Sequence, residues 1–241
     1  MKPILIYVLI DRSGSTKHDF ENNLIHPVSD APYIAFDLAF RSLCEFLCKP
    51  YVDRYGKVHD LAPMVKVLGY GYNDKVFPLL EHKNKLCETF IDPALVSHCK
   101  LLEKIEGSTG FHLALERVHL DLELDEKNKS SPICNLDFDK CLVINLTDGV
   151  FNPETQEKVR QAHKKLIRHP RVRLVNIHVR HPLLKGINIK DDDKEFLREV
   201  SSASSKTGIV NCYTDIPLNA LAEYVISGTL TSIGVVGVDY H

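Results

Sequence analysis

Long apolar runs alternate with amphipathic segments along the chain. Residues 4–10 form an unbroken apolar run rich in β-branched residues, and mostly apolar runs follow at residues 140–146 and 172–179. Runs of this kind are typical of strands that are buried on both faces of a parallel sheet. Between them, apolar residues recur at spacings of three and four, which predicts helices. The alternation predicts an α/β fold: a doubly wound, mostly parallel, Rossmann-like sheet flanked by helices.

Shorter segments fit the same alternation. We expect further strands at residues 64–71, 76–80 and 208–213. The second of these is predicted to be an antiparallel edge strand, because Pro78 cannot donate a hydrogen bond to a neighbouring strand. The predicted helices cover residues 33–49, 92–105, 111–122, 153–167, 191–200 and 215–229.

The connecting segments suggest one domain. Residues 124–139 are charged and rich in Ser, Asn and Pro, which predicts a surface loop. We find no internal repeat and no linker between domains. We therefore predict a single domain over residues 1–241, with a core from about residue 3 to residue 229 and no assignment for the tail, residues 230–241.

Composition narrows the classes of function. A formal net charge of -2 gives no general attraction to nucleic acid or to an anionic membrane. No apolar run is long enough to span a bilayer. The seven cysteines are odd in number and include no C-x-x-C motif, which favours a cytoplasmic protein with reduced thiols. Cys44 and Cys48 lie four residues apart, a spacing that fits core packing better than a metal site.

Oxygen-bearing side chains follow two of the buried strands. Asp11, Ser13 and Ser15 follow the first strand, Asp148 follows the strand at residues 140–146, and Thr109 precedes a helix. Ligands of such sheets bind beyond the carboxyl ends of the strands. Carboxylates and hydroxyls suit Mg²⁺ or Mn²⁺ and do not suit zinc. Without a cation the two carboxylates would oppose each other's ionisation, whereas a bound cation with an open position would attract a partner's carboxylate.

Three motifs resemble the metal-ion-dependent adhesion site of von Willebrand factor type A domains. They are Asp-Arg-Ser-Gly-Ser at residues 11–15, Gly-Ser-Thr at 107–109 and Thr-Asp-Gly at 147–149. The resemblance covers residues 3–229 and is greatest to bacterial cytosolic members found in multi-protein stress or defence systems. It implies a protein-interaction module rather than an enzyme, in which the ion captures an acidic residue of a partner protein. By this resemblance the metal ligands are Asp11, Ser13, Ser15, Thr109 and Asp148.

The resemblance also implies where a partner would bind. We expect partner contacts from the residues beside the ligands, namely Arg12, Thr16, Ser108 and Gly149. Arg12 places a cation inside the metal loop, where it could weaken metal binding or reach toward an acidic partner. Type A domains often shift their last helix when the metal coordination changes, which would here involve residues 215–229 and the tail.

An enzymatic alternative uses the same aspartate. An aspartate after the first strand of such a sheet also occurs in metal-dependent phosphatases of the haloacid dehalogenase type. That chemistry needs a second aspartate two residues later as acid and base, and Ser13 stands there instead. The G-x-S-x-G motif of serine hydrolases is absent as well. We therefore predict a non-enzyme, with a phosphatase that uses Asp11 as the alternative.

Other motifs carry weaker alternatives. Gly69-Tyr70-Gly71 fits a strand end better than a dinucleotide loop, because no third glycine follows. Residues 191–193, all Asp, indicate a helix start or, less well, a calcium site. His178 and His181 fit a solvated strand end or a metal site, and the basic run 163–173 fits a helix end or a docking surface for an acidic partner.

Overall fold

The structure is a computed structural model, and a central sheet dominates it. It describes residues 2–18, 24–25, 31–52, 55–124, 131–133, 136–149, 151, 153–179, 191–201, 212–214 and 221–233. The strands are β1 (Ile4–Asp11), β2 (Tyr51–Val52), β3 (Val58–His59), β4 (Val65–Tyr72), β5 (Val76–Pro78), β6 (Leu80–His82), β7 (Lys85–Leu86), β8 (Lys100–Leu101), β9 (Lys140–Thr147), β10 (Val172–Val179) and β11 (Cys212–Thr214). The helices are α1 (Pro32–Leu47), α2 (Pro93–Val96), α3 (Phe111–Leu124), α4 (Pro153–Leu166), α5 (Asp191–Glu199) and α6 (Leu221–Ile233).

The central sheet has six strands in the order β11-β10-β9-β1-β4-β5. Neighbouring strands are parallel except β5, which runs antiparallel to β4 at the edge. The predicted fold class is therefore confirmed. β1 lies between β4 and β9, with Ile10 opposite Gly71 on one side and Leu146 on the other. This register brings the carboxyl ends of β1 and β9 side by side.

Apolar side chains on both faces of β1 build the core. Residues 4, 6, 8 and 10 pack in a cluster with α1 and α6, and residues 5, 7 and 9 pack in a cluster with α3, α4 and α5. The whole strand is buried, as its continuous apolar run predicts. Helices α1 and α6 contact each other on one face of the sheet, and α3 and α4 contact each other on the other.

A buried carboxylate lies within the α3 side of the core. Asp121 of α3 accepts hydrogen bonds from the hydroxyls of Tyr70, at 2.9 Å, and Tyr7, at 3.3 Å. Its other oxygen pairs with Nε of Arg117 at 3.0 Å. Each oxygen of this carboxylate therefore has a partner, as burial of a charge requires.

The helix predicted at residues 92–105 begins where expected, with Asp92 before its first residue, but its predicted extent is wrong. α2 ends at Val96, and the chain then enters β8, which pairs with β6 and buries Leu101. Just after the end of α2, the hydroxyl of Ser97 donates a hydrogen bond to the carbonyl of Ala94 at 2.9 Å. Pairing with β6 satisfies backbone groups that a longer helix would have satisfied internally, so tertiary contacts override the local pattern.

Two further boundaries differ from the sequence prediction. The predicted surface loop at 124–139 contains Ile133, which is buried in the α3 cluster. α6 continues to Ile233, so the first residues of the unassigned tail are helical, while residues 234–241 lie outside the described part of the chain. Of the strand predicted at residues 208–213, residues 208–211 lie outside the described part of the chain, and β11 covers Cys212–Thr214. Among the helices described here, none combines the length and the apolar character needed to cross a membrane.

Candidate metal site

Asp11 ends β1 and is completely buried. One carboxylate oxygen accepts a hydrogen bond from the backbone N–H of Ser13 at 2.9 Å, and the other accepts from the hydroxyl of Thr147 at 2.6 Å. A short 3₁₀ turn, Gly14–Thr16, follows, and the hydroxyl of Thr16 closes it by donating to the carbonyl of Ser13 at 2.8 Å. The chain therefore turns back toward the end of β9 immediately after the strand.

Two serines connect this turn to Asp148. The hydroxyls of Ser13 and Ser15 lie 3.1 Å apart, and Ser15 donates to Oδ1 of Asp148 at 3.2 Å. Asp148 is 1% exposed, and its Oδ2 has no hydrogen-bond partner among the residues that the structure describes. The structure thus brings together four of the predicted ligands, Asp11, Ser13, Ser15 and Asp148, in one chain of contacts.

The loop that carries Thr109 is joined to the same turn. The backbone N–H of Gly14 donates to the carbonyl of Gly107 at 3.0 Å. Gly107 has a φ of +70°, a conformation that favours glycine, and the Asp74 carboxylate occupies the place that a Cβ would take. Thr109 follows two residues later and is half-buried. The Gly-Ser-Thr motif at residues 107–109 therefore lies beside the motif at residues 11–15.

Asp74 supports this loop, and sequence reasoning missed it. Its Oδ1 accepts hydrogen bonds from the N–H of Ser108, at 3.1 Å, and from the hydroxyl of the same residue. These bonds hold the pKa of Asp74 below its usual value. As a sequence, Asn73-Asp74 indicates only a turn. No spacing rule connects it to Ser108, which lies 34 residues away.

Burial sets the electrostatics of the two site carboxylates. It raises the pKa of Asp11, and the hydrogen bonds from Ser13 and Thr147 act against that rise. The pKa of Asp148 lies well above its usual value, first because of burial and then because of the charge on Asp11. Both changes disfavour two negative charges at this edge of the sheet. A cation between the loops would reverse that preference.

The donor set fits a hard divalent cation. Two carboxylates and three hydroxyls are oxygen ligands of the kind that Mg²⁺ and Mn²⁺ prefer. Nowhere in the described ranges do three His, Cys, Asp or Glu side chains group in a way that could hold a metal ion. An ion at this edge would therefore depend on the hydroxyls of the serines and of Thr109 as well as on the aspartates.

The predicted partner contacts divide into exposed and buried residues. Ser108 is exposed in the loop that carries Thr109. Gly149 is buried, and its N–H donates to the hydroxyl of Thr147 at 2.9 Å. The side chains of Arg12 and Thr16 are also buried, which corrects the expectation that they reach a partner. Arg12 points into the protein and forms an ion pair with Asp37 of α1.

The remaining motifs lie elsewhere. Gly69 and Gly71 are inside β4, in agreement with the strand interpretation. Residues 191–193 form the start of α5, and their side chains are outside the described set. His178 is buried within β10, so the interpretation as a solvated strand end is wrong for this residue, and His181 lies outside the described part of the chain. The basic run begins in the last turn of α4, which fits the helix-end interpretation.

Comparisons with known proteins identify the fold through structure rather than sequence. No family model matches the sequence, and no curated protein does. The PilB minor pilin from Streptococcus sanguinis matches with a TM-score of 0.55 at 10% identity, over 96% of this chain and 61% of that chain. The vWF domain of the type V pili tip protein Mfa5 from Porphyromonas gingivalis matches with a TM-score of 0.53 at 9% identity, over 100% and 98%.

A mussel protein is also similar. Proximal thread matrix protein 1 from the byssus, solved with a zinc-occupied MIDAS motif, matches with a TM-score of 0.48 at 15% identity, over 94% of this chain and 46% of that chain. This chain thus spans less than two thirds of the length of the mussel and PilB chains.

The Mfa5 match extends over nearly all of both chains, and identities this low show the fold alone. That fold agrees with the mostly parallel sheet, its one antiparallel strand and the helices that flank it. The chain therefore has the fold of a von Willebrand factor type A domain.

Proposed function

We propose that this chain is a protein-interaction module that holds Mg²⁺ or Mn²⁺ and captures an acidic side chain of a partner protein. The observation that carries the proposal is Oδ2 of Asp148, a buried carboxylate oxygen without a hydrogen-bond partner in the described part of the chain, next to the buried Asp11. A buried, unpaired carboxylate oxygen is costly, and a cation is the partner that its chemistry fits.

Each residue has a defined part in this proposal. Asp11 and Asp148 supply negative charge, and Ser13, Ser15 and Thr109 supply neutral oxygen ligands. The ion itself supplies an open coordination position that attracts a carboxylate. Of the residues expected to contact the partner, only Ser108 is exposed beside this position. The proposed docking surface is therefore the carboxyl edge of the sheet around Ser15 and Ser108, without Arg12 or Thr16.

The fold supports a binding role. The PilB and Mfa5 structures come from a minor pilin and a pilus tip protein, both parts of an assembly of proteins. By analogy we propose a protein partner for this chain as well. Cytoplasmic localisation and a part in a stress or defence system stay predictions from the sequence.

The phosphatase alternative finds no support at Asp11. The residue is fully buried, and both of its carboxylate oxygens already accept hydrogen bonds. An attacking carboxylate needs an oxygen that can reach the phosphorus atom of a substrate. We therefore propose a binding function and no hydrolysis.

Isothermal titration with Mg²⁺ tests the metal site. We expect the unaltered protein to bind one ion and Asp148→Asn to bind it at least about 10-fold more weakly, because a charged ligand is lost. Asp121→Asn is the matched control, since it also changes a buried aspartate but lies on α3, away from the site. If the Asp148 variant and the unaltered protein bind Mg²⁺ with equal affinity, the proposed position of the metal site is wrong.

Partner capture tests the second half of the proposal. Proteins retained by the immobilised chain in Mg²⁺ should be released by EDTA and should not be retained by the Asp148 variant. Changing acidic residues of a captured protein, one at a time to the amide, should then identify the one that reaches the ion. If the same proteins are retained in EDTA and by the Asp148 variant, the partner is not captured through the metal ion.

A further inference from the structure

Arg12 is an unusual neighbour for a metal ligand because its side chain is buried. The guanidinium is 0% exposed, and it pairs with Asp37, whose side chain is 17% exposed. Two of its nitrogens, Nε and Nη1, have no partner in the described ranges. Burying a guanidinium is expensive even when it is paired. Coordination of Mg²⁺ does not call for an arginine, so this side chain needs another explanation.

The backbone of Arg12 joins three segments of the site. Its N–H donates to the carbonyl of Tyr72 at the end of β4, at 2.8 Å. Its carbonyl accepts from the N–H of Glu106, at 3.0 Å, in the loop that leads to Thr109. A movement of Arg12 would therefore alter the spacing between the Asp11 turn and the Thr109 loop.

The side chain of Arg12 connects these three backbone segments to α1. Its Cγ lies 3.2 Å from the position that a Cβ would occupy on Gly71, so it passes closely over β4. It then reaches Asp37 in the second turn of α1. The pKa of Asp37 is raised by burial, and Arg12 acts against that rise by favouring the charged form. The ion pair thus connects the metal turn to a helix that supplies no metal ligand.

We propose that Arg12 and Asp37 are positioning residues, whose ion pair holds the Asp11 turn and the Thr109 loop at the spacing that the metal ion requires. The inference rests on the proposed metal site and adds two residues to it that touch neither the ion nor the partner. Arg12 acts from inside the protein, through the backbone segments that it joins.

Arg41 provides a matched control on the same helix. It lies one turn after Asp37, and its guanidinium donates to the carbonyls of Val96, at 3.2 Å, and Cys99, at 3.1 Å. It therefore ties α1 to α2 and not to the metal turn. Substitution of Arg41 should reduce stability without moving the metal ligands.

The experiment compares R12M, R12K, D37N and R41M in the full chain. Mg²⁺ affinity is measured by titration, stability by urea unfolding, and local opening by hydrogen exchange at the amides of Gly14 and Glu106. In R12M and D37N we expect Mg²⁺ affinity to fall about 10-fold, as for other residues that orient metal ligands. Both amides should exchange about 10-fold faster. R12K should recover part of the affinity, and R41M should change neither the affinity nor these two amides.

Several results would overturn the positioning role. Unchanged Mg²⁺ affinity in R12M and D37N, or an equal loss in R41M, would make the ion pair purely structural. If R12M does not fold, D37N and R12K decide, because D37N keeps the shape of the Asp37 side chain and R12K keeps the positive charge at residue 12. If the unaltered protein binds no Mg²⁺, the proposed function is wrong, but this result alone does not decide whether Arg12 positions the two loops. In that case hydrogen exchange at the amides of Gly14 and Glu106 decides. Equal exchange rates in R12M and R41M would overturn the positioning role, whereas faster exchange in R12M alone would support it.

Discussion

At the scale of single residues, Asp121 shows what a structural carboxylate looks like in this protein. Two tyrosine hydroxyls and Arg117 satisfy both of its oxygens. Asp148 is buried to the same degree, yet one of its oxygens has no partner in the described part of the chain. The contrast between these two residues, rather than burial itself, distinguishes the candidate site from the core.

Asp121 should make stability depend on pH. Burial raises its pKa in the fold, despite the opposing effect of Arg117. From about pH 4, the ordinary pKa of an aspartate, up to that raised value, the folded protein retains a proton that the unfolded chain has lost. The free energy of unfolding therefore falls as pH rises through this window. In Asp121→Asn this contribution to the decline should be absent.

Urea unfolding between pH 4 and pH 7 in Mg²⁺-free buffer measures this effect. The stability of Asp121→Asn relative to the unaltered protein should improve as pH rises through the window and then level off. A difference between the two proteins that stays constant over the range, or that moves in the opposite direction, would show that Asp121 titrates in the fold as it does in the unfolded chain.

The proposed ligand residues can be predicted from the sequence more readily than the residues proposed to orient them. Asp11, Ser13, Ser15 and Asp148 follow strands whose apolar runs are clear, so their meeting at one edge can be predicted. Arg12 is different, because no local pattern tells whether a cation in a loop points to solvent or into the core. Its direction depends on Asp37, which is 25 residues away.

At the scale of elements, the close packing of β4 against β5 limits which side chains β4 can carry. A Cβ on Gly71 would lie 2.6 Å from the ring of Phe77 and would also crowd Arg12. A Cβ on Gly69 would meet its nearest neighbour, the ring of Phe40, at 3.2 Å. Gly71→Ala should therefore cost about 1–3 kcal/mol of unfolding free energy, the usual effect of overpacking. Gly69→Ala should cost less.

Urea unfolding of the two variants checks this order. Gly71→Ala should also weaken Mg²⁺ binding, since it displaces the aliphatic part of Arg12, whereas Gly69→Ala should not. Equal stability of the two variants would indicate that Phe77 moves aside without cost.

Long elements could be predicted, whereas the strands of two residues could not. β1, β9 and β10 agree with their apolar runs to within a residue, because burial on both faces leaves a continuous pattern. β2, β3, β7 and β8 have two residues each, too few for any period. They exist because of pairing partners elsewhere in the chain, and the misassigned helix at 92–105 is a consequence of the same limit.

At the scale of the whole molecule, a ligand that binds only the folded state adds to its stability. With free Mg²⁺ at about 100 times the dissociation constant, the unaltered protein should gain about 2.7 kcal/mol. Asp148→Asn should gain far less. In Mg²⁺-free buffer the same variant should be at least as stable as the unaltered protein, because it removes a charge that burial and Asp11 both disfavour.

Thermal unfolding with Mg²⁺ or EDTA, with Asp121→Asn as the control, measures this gain. An equal rise of the melting temperature in the Asp148 and Asp121 variants would mean that Mg²⁺ stabilises the fold from another place.

The central position of β1 has a consequence for how the chain folds. Ile4 pairs with Val65 on one side and with Lys140 on the other, and the bond from Thr147 to Asp11 spans 136 residues. During synthesis the most apolar strand therefore emerges long before its second neighbour, and contacts at such separation form slowly. Until then the apolar run of β1 is exposed, and a segment of this kind is prone to aggregation. The proposed metal ligands come together only when β9 has docked, so binding of an ion there would report that the sheet is complete.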